Sequence, residues 1–272
     1  MQSGALHYHR SHQYKIMRAL PLGPAFEALS KKEFDGYKDA IFTRGVILKI
    51  EFSEAGVSFE GRTALHPLTL TLIERRIGII GLNGSGKTTF ARLINGLTRP
   101  TTGTVTVNGR DTATDAQAVM ADAGFVFQSP QNQIILPILQ DDIELGLKAR
   151  GVAKARIGER ALEALARLGI AHLARRRAHE LSGGELQLAA LAAVLATNPS
   201  LVILDEPTNQ LDLQNRRRVA DTIEALDEDV IVVSHDLSVL GDFERVLLFH
   251  EGRLAGDGAP QDVIAQYEAM NR

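Results

Sequence analysis

The stretch from Gly81 to Thr89 reads GLNGSGKTT, and it decides the fold. It follows the apolar run IGIIG and precedes a helical pattern, so the predicted order is strand, glycine loop, helix. In this context the pattern G-x-x-x-x-G-K-[ST] is typical of a loop that holds phosphate groups. Gly84 and Gly86 carry no Cβ, which lets backbone N–H groups approach phosphate oxygens. The stretch therefore predicts a nucleoside triphosphate site.

The side chains of this loop have distinct expected roles. Lys87 is expected to reach the β- and γ-phosphates, and Thr88 to place its hydroxyl on Mg²⁺. The N-terminus of the helix that begins here adds a partial positive charge. The predicted nucleotide-binding residues of the loop are Asn83, Gly84, Ser85, Gly86, Lys87, Thr88 and Thr89.

Apolar runs typical of strands recur on both sides of the loop. They cover Val46–Phe52, Leu68–Ile73, Ile77–Gly81, Thr104–Gly109, Gly124–Phe127, Leu201–Asp205, Val230–Ser234 and Val246–His250. Helical patterns over Lys87–Leu97, Leu186–Ala196 and Leu213–Leu226 separate several of them. Strands that alternate with helices predict an α/β domain with a largely parallel, buried sheet. From Leu139 to Arg177 only helix is predicted, which indicates a helical insert in the α/β core.

Composition and charge exclude several classes of protein. The chain has 272 residues, 44% of them hydrophobic and 23% charged, as in ordinary globular domains. A net charge of −3 argues against a nucleic-acid partner, and the absence of cysteine excludes a disulfide framework. The longest apolar stretch, Leu188–Ala196, is far shorter than the roughly 20 residues of a membrane helix. We therefore expect a soluble intracellular protein.

Two adjacent carboxylates follow the apolar run at Leu201–Asp205. Asp205 is expected at the exit of a central strand, where it can hold the water shell of Mg²⁺. Glu206 can then face the γ-phosphate and polarise an attacking water molecule. Behind a phosphate-binding loop, this pair indicates hydrolysis of the triphosphate rather than binding alone.

A second helix start with accessible amides is predicted in ELSGGELQ, which covers Glu180–Gln187. Ser182 occupies the expected N-cap, and Gly183 and Gly184 leave the amides of the first turn open to an anion. The chain thus carries two predicted phosphate-binding helix ends.

An uncharged polar run from Gln128 to Gln133 follows the strand-like GFVF, as ligand-facing loops do in α/β proteins. Together with the other motifs, which occur in the same order, it resembles the nucleotide-binding subunits of ATP-binding cassette (ABC) transporters from Val46 to about the C-terminus. The resemblance implies a P-loop NTPase fold with a mostly parallel core, an antiparallel β part and a helical subdomain at about residues 139–190. It also implies ATP and Mg²⁺ as ligands.

The resemblance implies roles for further residues. Gln128 matches a glutamine that contacts Mg²⁺ and the water near the γ-phosphate, and His235 matches a histidine that holds the γ-phosphate and positions Glu206. The segment Ser182, Gly183, Gly184 and Glu185 matches the signature that reaches the ATP of the opposite subunit in a head-to-tail dimer. Asp212 falls in the loop that crosses this interface. Because every motif is present, a homodimer is favoured, and pairing with a second ATPase stays open.

Two positions depart from the pattern of the family. Phe59 stands where an aromatic residue, commonly tyrosine, stacks on adenine, although a phenylalanine on a strand is also a usual core residue. Glu185 stands where the signature usually has glutamine, a frequent variant that we expect to be tolerated.

The segment VFQSPQNQIILPILQDDIELGL resembles the ATPases of energy-coupling-factor importers more specifically. The segments around the glycine loop and around LARRRAHELSGGELQ are most similar to the ATPases of biotin importers, and cobalt and nickel importers share most of these features. The resemblance implies an integral membrane coupling subunit, a substrate-binding membrane subunit and a peripheral position on the cytoplasmic face of the membrane.

Other functions of ABC ATPases stay open at this point. A soluble iron–sulfur assembly ATPase is compatible with the length, whereas DNA-repair members carry a long coiled coil and ribosome-associated members carry two cassettes. An exporter ATPase shares every catalytic residue, and the glutamine loop is the feature that favours an importer. Residues 1–45 show no sustained periodicity and are expected to form a partly flexible extension of the cassette at 46–272.

Overall fold

The computed structural model describes residues 48–270 of the chain. The extension predicted over residues 1–45 and the first two residues of the predicted strand at 46–52 lie outside the described residues. The strands are β1 Ile50–Phe59, β2 Arg62–Leu72, β3 Arg76–Gly81, β4 Thr102–Val107, β5 Arg110–Asp111, β6 Ala123–Val126, β7 Leu201–Asp205, β8 Asp229–Val233, β9 Arg245–His250 and β10 Arg253–Gly258. The helices are α1 Lys87–Ile94, α2 Ala116–Asp122, α3 Leu139–Ala149, α4 Lys154–Arg167, α5 Gly183–Leu195, α6 Leu213–Glu224 and α7 Pro260–Met270.

The strands form two sheets. The larger has the order β10-β9-β3-β8-β7-β6, in which only the β10–β9 pair is antiparallel. The smaller sheet, β2-β1-β4-β5, is antiparallel throughout. The predicted α/β fold with a mostly parallel core and an antiparallel part is therefore confirmed.

Helix α1 lies between the two sheets. Phe90 of α1 stacks on Phe52 of β1 with ring centroids 4.5 Å apart, and its ring centroid is 4.8 Å from that of Phe249 in β9. All three side chains are fully buried, so they contribute strongly to the hydrophobic free energy of folding. This packing holds the helix that follows the glycine loop in a fixed place.

The helices α3, α4 and α5 pack together against the larger sheet. Helix α5 is apolar on nearly all sides and is almost entirely buried, which explains why its sequence shows no polar face. The predicted insert is helical as expected, with one isolated antiparallel bridge between Ile138 and Arg177 at its base. Among the described residues, no helix is both long and apolar enough to cross a membrane.

Several elements differ from the sequence prediction. The hairpin of β1 and β2 is much longer than the predicted runs, because its outer parts alternate with exposed polar residues and contain bulges. Strands β5 and β10 and helices α2 and α7 had not been predicted. The sequence of β10, RLAGDG, has no apolar run and two glycines, so it carries no strand signal.

Four neighbouring strands direct their carboxyl ends to one edge of the larger sheet. The glycine loop follows β3, Gln128 follows β6, Glu206 follows β7 and His235 follows β8. In an open parallel sheet this edge is where ligands bind.

Candidate functional site

The glycine loop has a backbone that only glycine adopts without strain. Gly84 and Gly86 have φ angles of +78° and +99°. A Cβ at Gly86 would also lie 2.7 Å from the carbonyl oxygen of Ala64, so this position has no room for a side chain. The hydroxyl of Ser85 is buried and has no hydrogen-bond partner among the described residues, as expected of a donor that faces a ligand.

Lys87 is the first residue of α1, and its ammonium group lies over the loop. Its Nζ donates to the carbonyl oxygens of Gly81 at 2.7 Å and Leu82 at 2.9 Å. Burial lowers the pKa of Lys87, and the nearby carboxylates of Glu206 and Asp205 oppose this shift. The site therefore holds a desolvated cation, which attracts phosphate more strongly than an exposed lysine does.

Asp205 ends β7 in a buried position next to α1. The hydroxyl of Thr88 donates to its Oδ1 at 3.1 Å. Burial raises the pKa of Asp205, while the hydrogen bond from Thr88 opposes the shift. A hydroxyl and a carboxylate thus meet beside the phosphate loop, and both offer the oxygen ligands that Mg²⁺ prefers.

Glu206 and His235 form a close pair at the ends of β7 and β8. His235 Nδ1 lies 2.7 Å from Glu206 Oε2, and the backbone N–H of His235 donates to the same oxygen at 3.3 Å. Glu206 is 7% exposed and has a φ of +52°, which is unusual for a residue with a side chain and costs about 1 to 3 kcal/mol. Its own N–H donates to Val233 O at 2.8 Å, which holds the strained backbone in place.

A cleft of about 340 Å³ lies at the start of the glycine loop. Its lining includes Asn83, Gln128, Glu206 and His235, so four residues predicted from separate motifs do come together. Gly81, Leu82, Asn209 and Tyr267 also line it.

Tyr267 had not been singled out from the sequence. It lies on α7, in the C-terminal part of the chain, where no helix had been predicted. The only signal was the pair Val263 and Tyr267, four residues apart after Pro260, which places both on one face of a helix that starts at a proline.

The signature segment begins α5 with a complete capping box. Ser182 Oγ accepts from Glu185 N–H at 3.3 Å, and Glu185 Oε2 accepts from Ser182 N–H at 2.8 Å. These hydrogen bonds, first that from the Ser182 backbone, lower the pKa of Glu185. A Cβ on Gly184 would collide with the side chain of Asn215 on α6, so this glycine is also required by packing.

The other predicted residues do not line this cleft, although the loop residues 84–89 and Asp205 directly adjoin lining residues along the chain. Ser182, Gly183, Gly184, Glu185, Asp212 and Phe59 are not among its lining residues. Asp212 caps α6 by accepting from Asn215 N–H at 2.8 Å, and this bond lowers the pKa of Asp212. Phe59 ends β1 and is 54% exposed, so the interpretation of Phe59 as a core residue is wrong.

A strand, glycine loop and helix at the edge of a parallel sheet, with an acidic pair on the neighbouring strand end, define a P-loop protein that binds nucleoside triphosphates. The sequence profile of the family described as ABC transporter matches residues 65–209. The chain belongs to the ABC transporter family and is an ATPase of that family.

Individual relatives cover most of the chain. It is 64% identical over 223 residues to the biotin transport ATP-binding protein BioM of Rhizobium etli, which covers 82% of this chain and 99% of that protein. It is 37% identical over 199 residues to the energy-coupling factor transporter ATP-binding protein EcfA1 of Halalkalibacterium halodurans, covering 71% of this chain and 72% of the relative. Among solved structures, cbiO1 from Clostridium perfringens, part of the ABC transporter complex cbiONQ, has a TM-score of 0.71 at 27% identity, covering 82% of this chain and 92% of that one.

Proposed function

We propose that this chain is the ATP-hydrolysing subunit of an energy-coupling-factor importer and that the transported solute is biotin. The observation that carries the proposal is the 64% identity over 99% of a biotin transport ATP-binding protein. The choice between solutes rests on this similarity, because the cleft of an ATPase holds nucleotide and not the solute.

The triphosphate of ATP would lie on the loop from Asn83 to Thr89. The glycine backbone supplies N–H donors, the buried hydroxyl of Ser85 gains a partner, and Lys87 supplies a desolvated positive charge. We assign the stacking on adenine to Phe59, whose exposed ring presents a free face.

Mg²⁺ fits the oxygen donors beside this loop. Thr88 and Asp205 would hold the ion directly or through its waters, with the amide oxygen of Gln128 as a further ligand. Within the described part of the chain, no group of three or more histidine, cysteine, aspartate or glutamate residues could hold a metal. Mg²⁺ is commonly held by few protein ligands together with phosphate oxygens, and it would neutralise charge on the phosphates.

Hydrolysis would depend on the Glu206–His235 pair. Glu206 orients a water molecule and polarises its O–H bond towards the carboxylate, so that the water oxygen attacks the γ-phosphorus. The bond from that phosphorus to the bridging oxygen breaks, which leaves ADP and phosphate. His235 fixes the carboxylate at 2.7 Å and is exposed enough to contact the γ-phosphate.

A second ATPase subunit would complete the site. The signature residues Ser182 to Glu185 do not line the cleft of their own chain, and in a head-to-tail dimer they would contact the partner's ATP. Asp212 would lie in the loop that crosses this interface. The chain carries every motif, so we propose a homodimer.

A second cavity, of about 520 Å³, supports docking of a membrane coupling subunit. We call it the coupling groove; its lining includes Leu97, Phe127, Ile135, Leu145 and Arg150. Ile135 is 77% exposed, and its backbone N–H is fixed by a 2.8 Å hydrogen bond to Asp142 Oδ1. Large apolar side chains held in an exposed position are typical of a binding surface.

The polar run after β6 connects this groove to the cleft. Gln133 Oε1 accepts from the N–H of Phe127 at 3.0 Å, which ties the loop to the residue beside Gln128. Movement of Gln128 with the γ-phosphate would thereby reach the groove. The chain would lie at the cytoplasmic face of the membrane as a peripheral subunit, with a coupling subunit and a substrate-binding subunit as partners.

The proposal is tested by purifying the tagged protein from detergent-solubilised membranes of its source cells. Mass spectrometry should find two small integral membrane proteins and biotin. Ile135→Glu should abolish their recovery, and Leu162→Glu, at an exposed leucine on α4 outside the groove, should retain it. Cobalt or nickel in place of biotin would keep the class and overturn the substrate, whereas recovery of soluble assembly factors alone would overturn the importer.

A further inference from the structure

A third cavity, of about 750 Å³, lies away from the nucleotide cleft and from the coupling groove. One wall is the outward face of α6 with Leu213, Arg217 and Arg218, and the other is the C-terminal end of α4 with Arg167 and Leu168. Leu226 completes its lining. We call this cavity the arginine groove.

Of the three arginines in the arginine groove, one is paired with a carboxylate and two form no ion pair among the described residues. Arg167 donates to both carboxylate oxygens of Glu228 at 2.7 Å, and this pairing raises its pKa. Arg217 and Arg218 are exposed, and no carboxylate of the described residues forms an ion pair with either of them. Asp221, one turn further on α6, is the acidic residue of the lining. The groove therefore presents two guanidinium groups without an ion pair among the described residues, of which Arg218 also helps to lower the pKa of Glu185 on α5.

Apolar side chains lie on both sides of these cations. Leu213 at the start of α6 is 75% exposed, which makes it one of the two most exposed large hydrophobic residues of the described chain. Leu168 and Leu226 are almost buried and form an apolar surface further along the groove. A complementary ligand therefore has apolar groups separated by negative charge.

The dimensions favour a peptide as this ligand. The face of α6 from Leu213 to Ala225 is about 18 Å long at 1.5 Å per residue, which matches about three turns of a second helix. Helical segments that bind in grooves do so through apolar anchor residues three or four positions apart, which lie on one face of about two to three turns. Two available guanidinium groups are too few for a nucleic-acid surface, which neutralises many phosphates.

From these observations we propose that the arginine groove binds an acidic, amphipathic segment of a protein partner. The proposal does not depend on the solute or on the membrane subunits. It has a route to the nucleotide cleft, because Arg216 on the same helix lies 3.6 Å from Asp236, the neighbour of His235. A partner that binds α6 would therefore contact the helix whose Arg216 pairs with the neighbour of His235.

Fluorescence anisotropy of the full chain with a labelled probe tests the proposal. The probe is a helix-stabilised peptide of leucines and glutamates, with the glutamates between two leucine pairs on one face. A peptide of the same composition in scrambled order serves as the reference. We expect saturable binding of the probe that is about tenfold weaker in Arg217→Glu/Arg218→Glu, since reversed charges repel the glutamates.

The matched control is Lys154→Glu/Arg253→Glu, which changes the net charge equally at two exposed positions outside the groove. It should bind the probe as the unaltered chain does. If the reversed variant unfolds early in a thermal melt, Arg217→Gln/Arg218→Gln replaces it. Equal binding of the scrambled peptide, equal binding by the groove variant, or no saturable binding overturns the proposal. The proposal is also overturned if the chain binds phosphatidylglycerol vesicles, and not the peptide, in a manner that requires both arginines. That result would assign the groove to lipid.

Discussion

Asp205 is a buried carboxylate whose ionised form is disfavoured by the fold before any ligand binds. Burial raises its pKa, so the folded state binds a proton more tightly than the unfolded state does. The free energy of unfolding therefore increases as the pH falls from neutral through this raised pKa, because the folded state takes up the proton first. The same contribution is lost as the pH rises. The site thus carries a cost in stability that a bound cation would offset.

We expect Asp205→Asn to stabilise the nucleotide-free protein and to abolish its stabilisation by ATP and Mg²⁺. Asparagine can still accept from Thr88 but carries no charge, so the melting temperature at neutral pH should rise by about 2 to 4 °C, equivalent to about 1 kcal/mol. Thermal melts from neutral to mildly acidic pH measure this difference, which should shrink as the pH falls. Asp242→Asn, at an exposed aspartate, is the control and should melt as the unaltered chain does.

Residues that combine a motif with a strand end could be predicted from sequence alone. The glycine loop, Asp205 and Glu206 belong to this group, because a short apolar run fixes where each strand ends. Gln128 and His235 needed the family resemblance, since one polar residue after a strand has many explanations. Tyr267 lines the same cleft only because α7 returns to the glycine loop, a contact over nearly two hundred residues of sequence that no local pattern records.

At the scale of elements, the stability of α5 depends on the hydrogen bonds of its first turn. The capping box needs a serine hydroxyl and a side-chain oxygen at Glu185, but the oxygen need not be charged. We therefore expect Glu185→Gln to retain the ATPase rate within about twofold, because the glutamine amide oxygen can accept from the Ser182 N–H.

Glu185→Ala serves as the contrast, because it leaves this N–H without its partner and should lower the melting temperature. Rates of phosphate release and thermal melts of both variants show whether the hydrogen bond or the charge at this position is required. A glutamine variant as impaired as the alanine variant would show that the charge itself is required.

The positions of elements along the chain were predictable where hydrophobic periodicity was strong, as in β3, β7, β8 and α1. Helix α5 was found despite its uniform apolarity, because its glycine-rich start is distinctive. The β1–β2 hairpin was found only in part and β10 was not found, because half-exposed strands alternate apolar with polar residues or lack an apolar run. The packing of Gly184 against Asn215 depends on how α5 and α6 meet, which sequence spacing does not define.

At the scale of the whole molecule, turnover and dimerisation should be separable at one residue. Glu206→Gln keeps an oxygen near His235 but removes the carboxylate that polarises the water, so ATP should bind without being hydrolysed. We expect the ATPase rate to fall by about a hundredfold or more and a dimer with ATP to accumulate. Phosphate release and size-exclusion chromatography with light scattering measure the two effects, and a rate near that of the unaltered chain would contradict the role of Glu206.

The cassette itself should not need the N-terminal segment. We propose that a chain beginning at Val46 folds and hydrolyses ATP, because the described residues from Leu48 onwards carry two large core clusters and all the nucleotide motifs. Circular dichroism and the ATPase rate of this shortened chain test the proposed boundary. Loss of either would place part of residues 1–45 within the folded domain.

The exposed ring of Phe59 has a practical consequence, because the chain contains no tryptophan. Phe59→Trp would create a single indole at the end of β1, in a position that is 54% exposed. Its emission would be that of a water-exposed chromophore and should shift to shorter wavelength, or be quenched, when a purine covers it. One substitution would thus give a protein without tryptophan an indole signal, distinct from its tyrosine emission, that reports nucleotide occupancy. An unchanged indole spectrum with saturating ATP would show that adenine does not stack at this position.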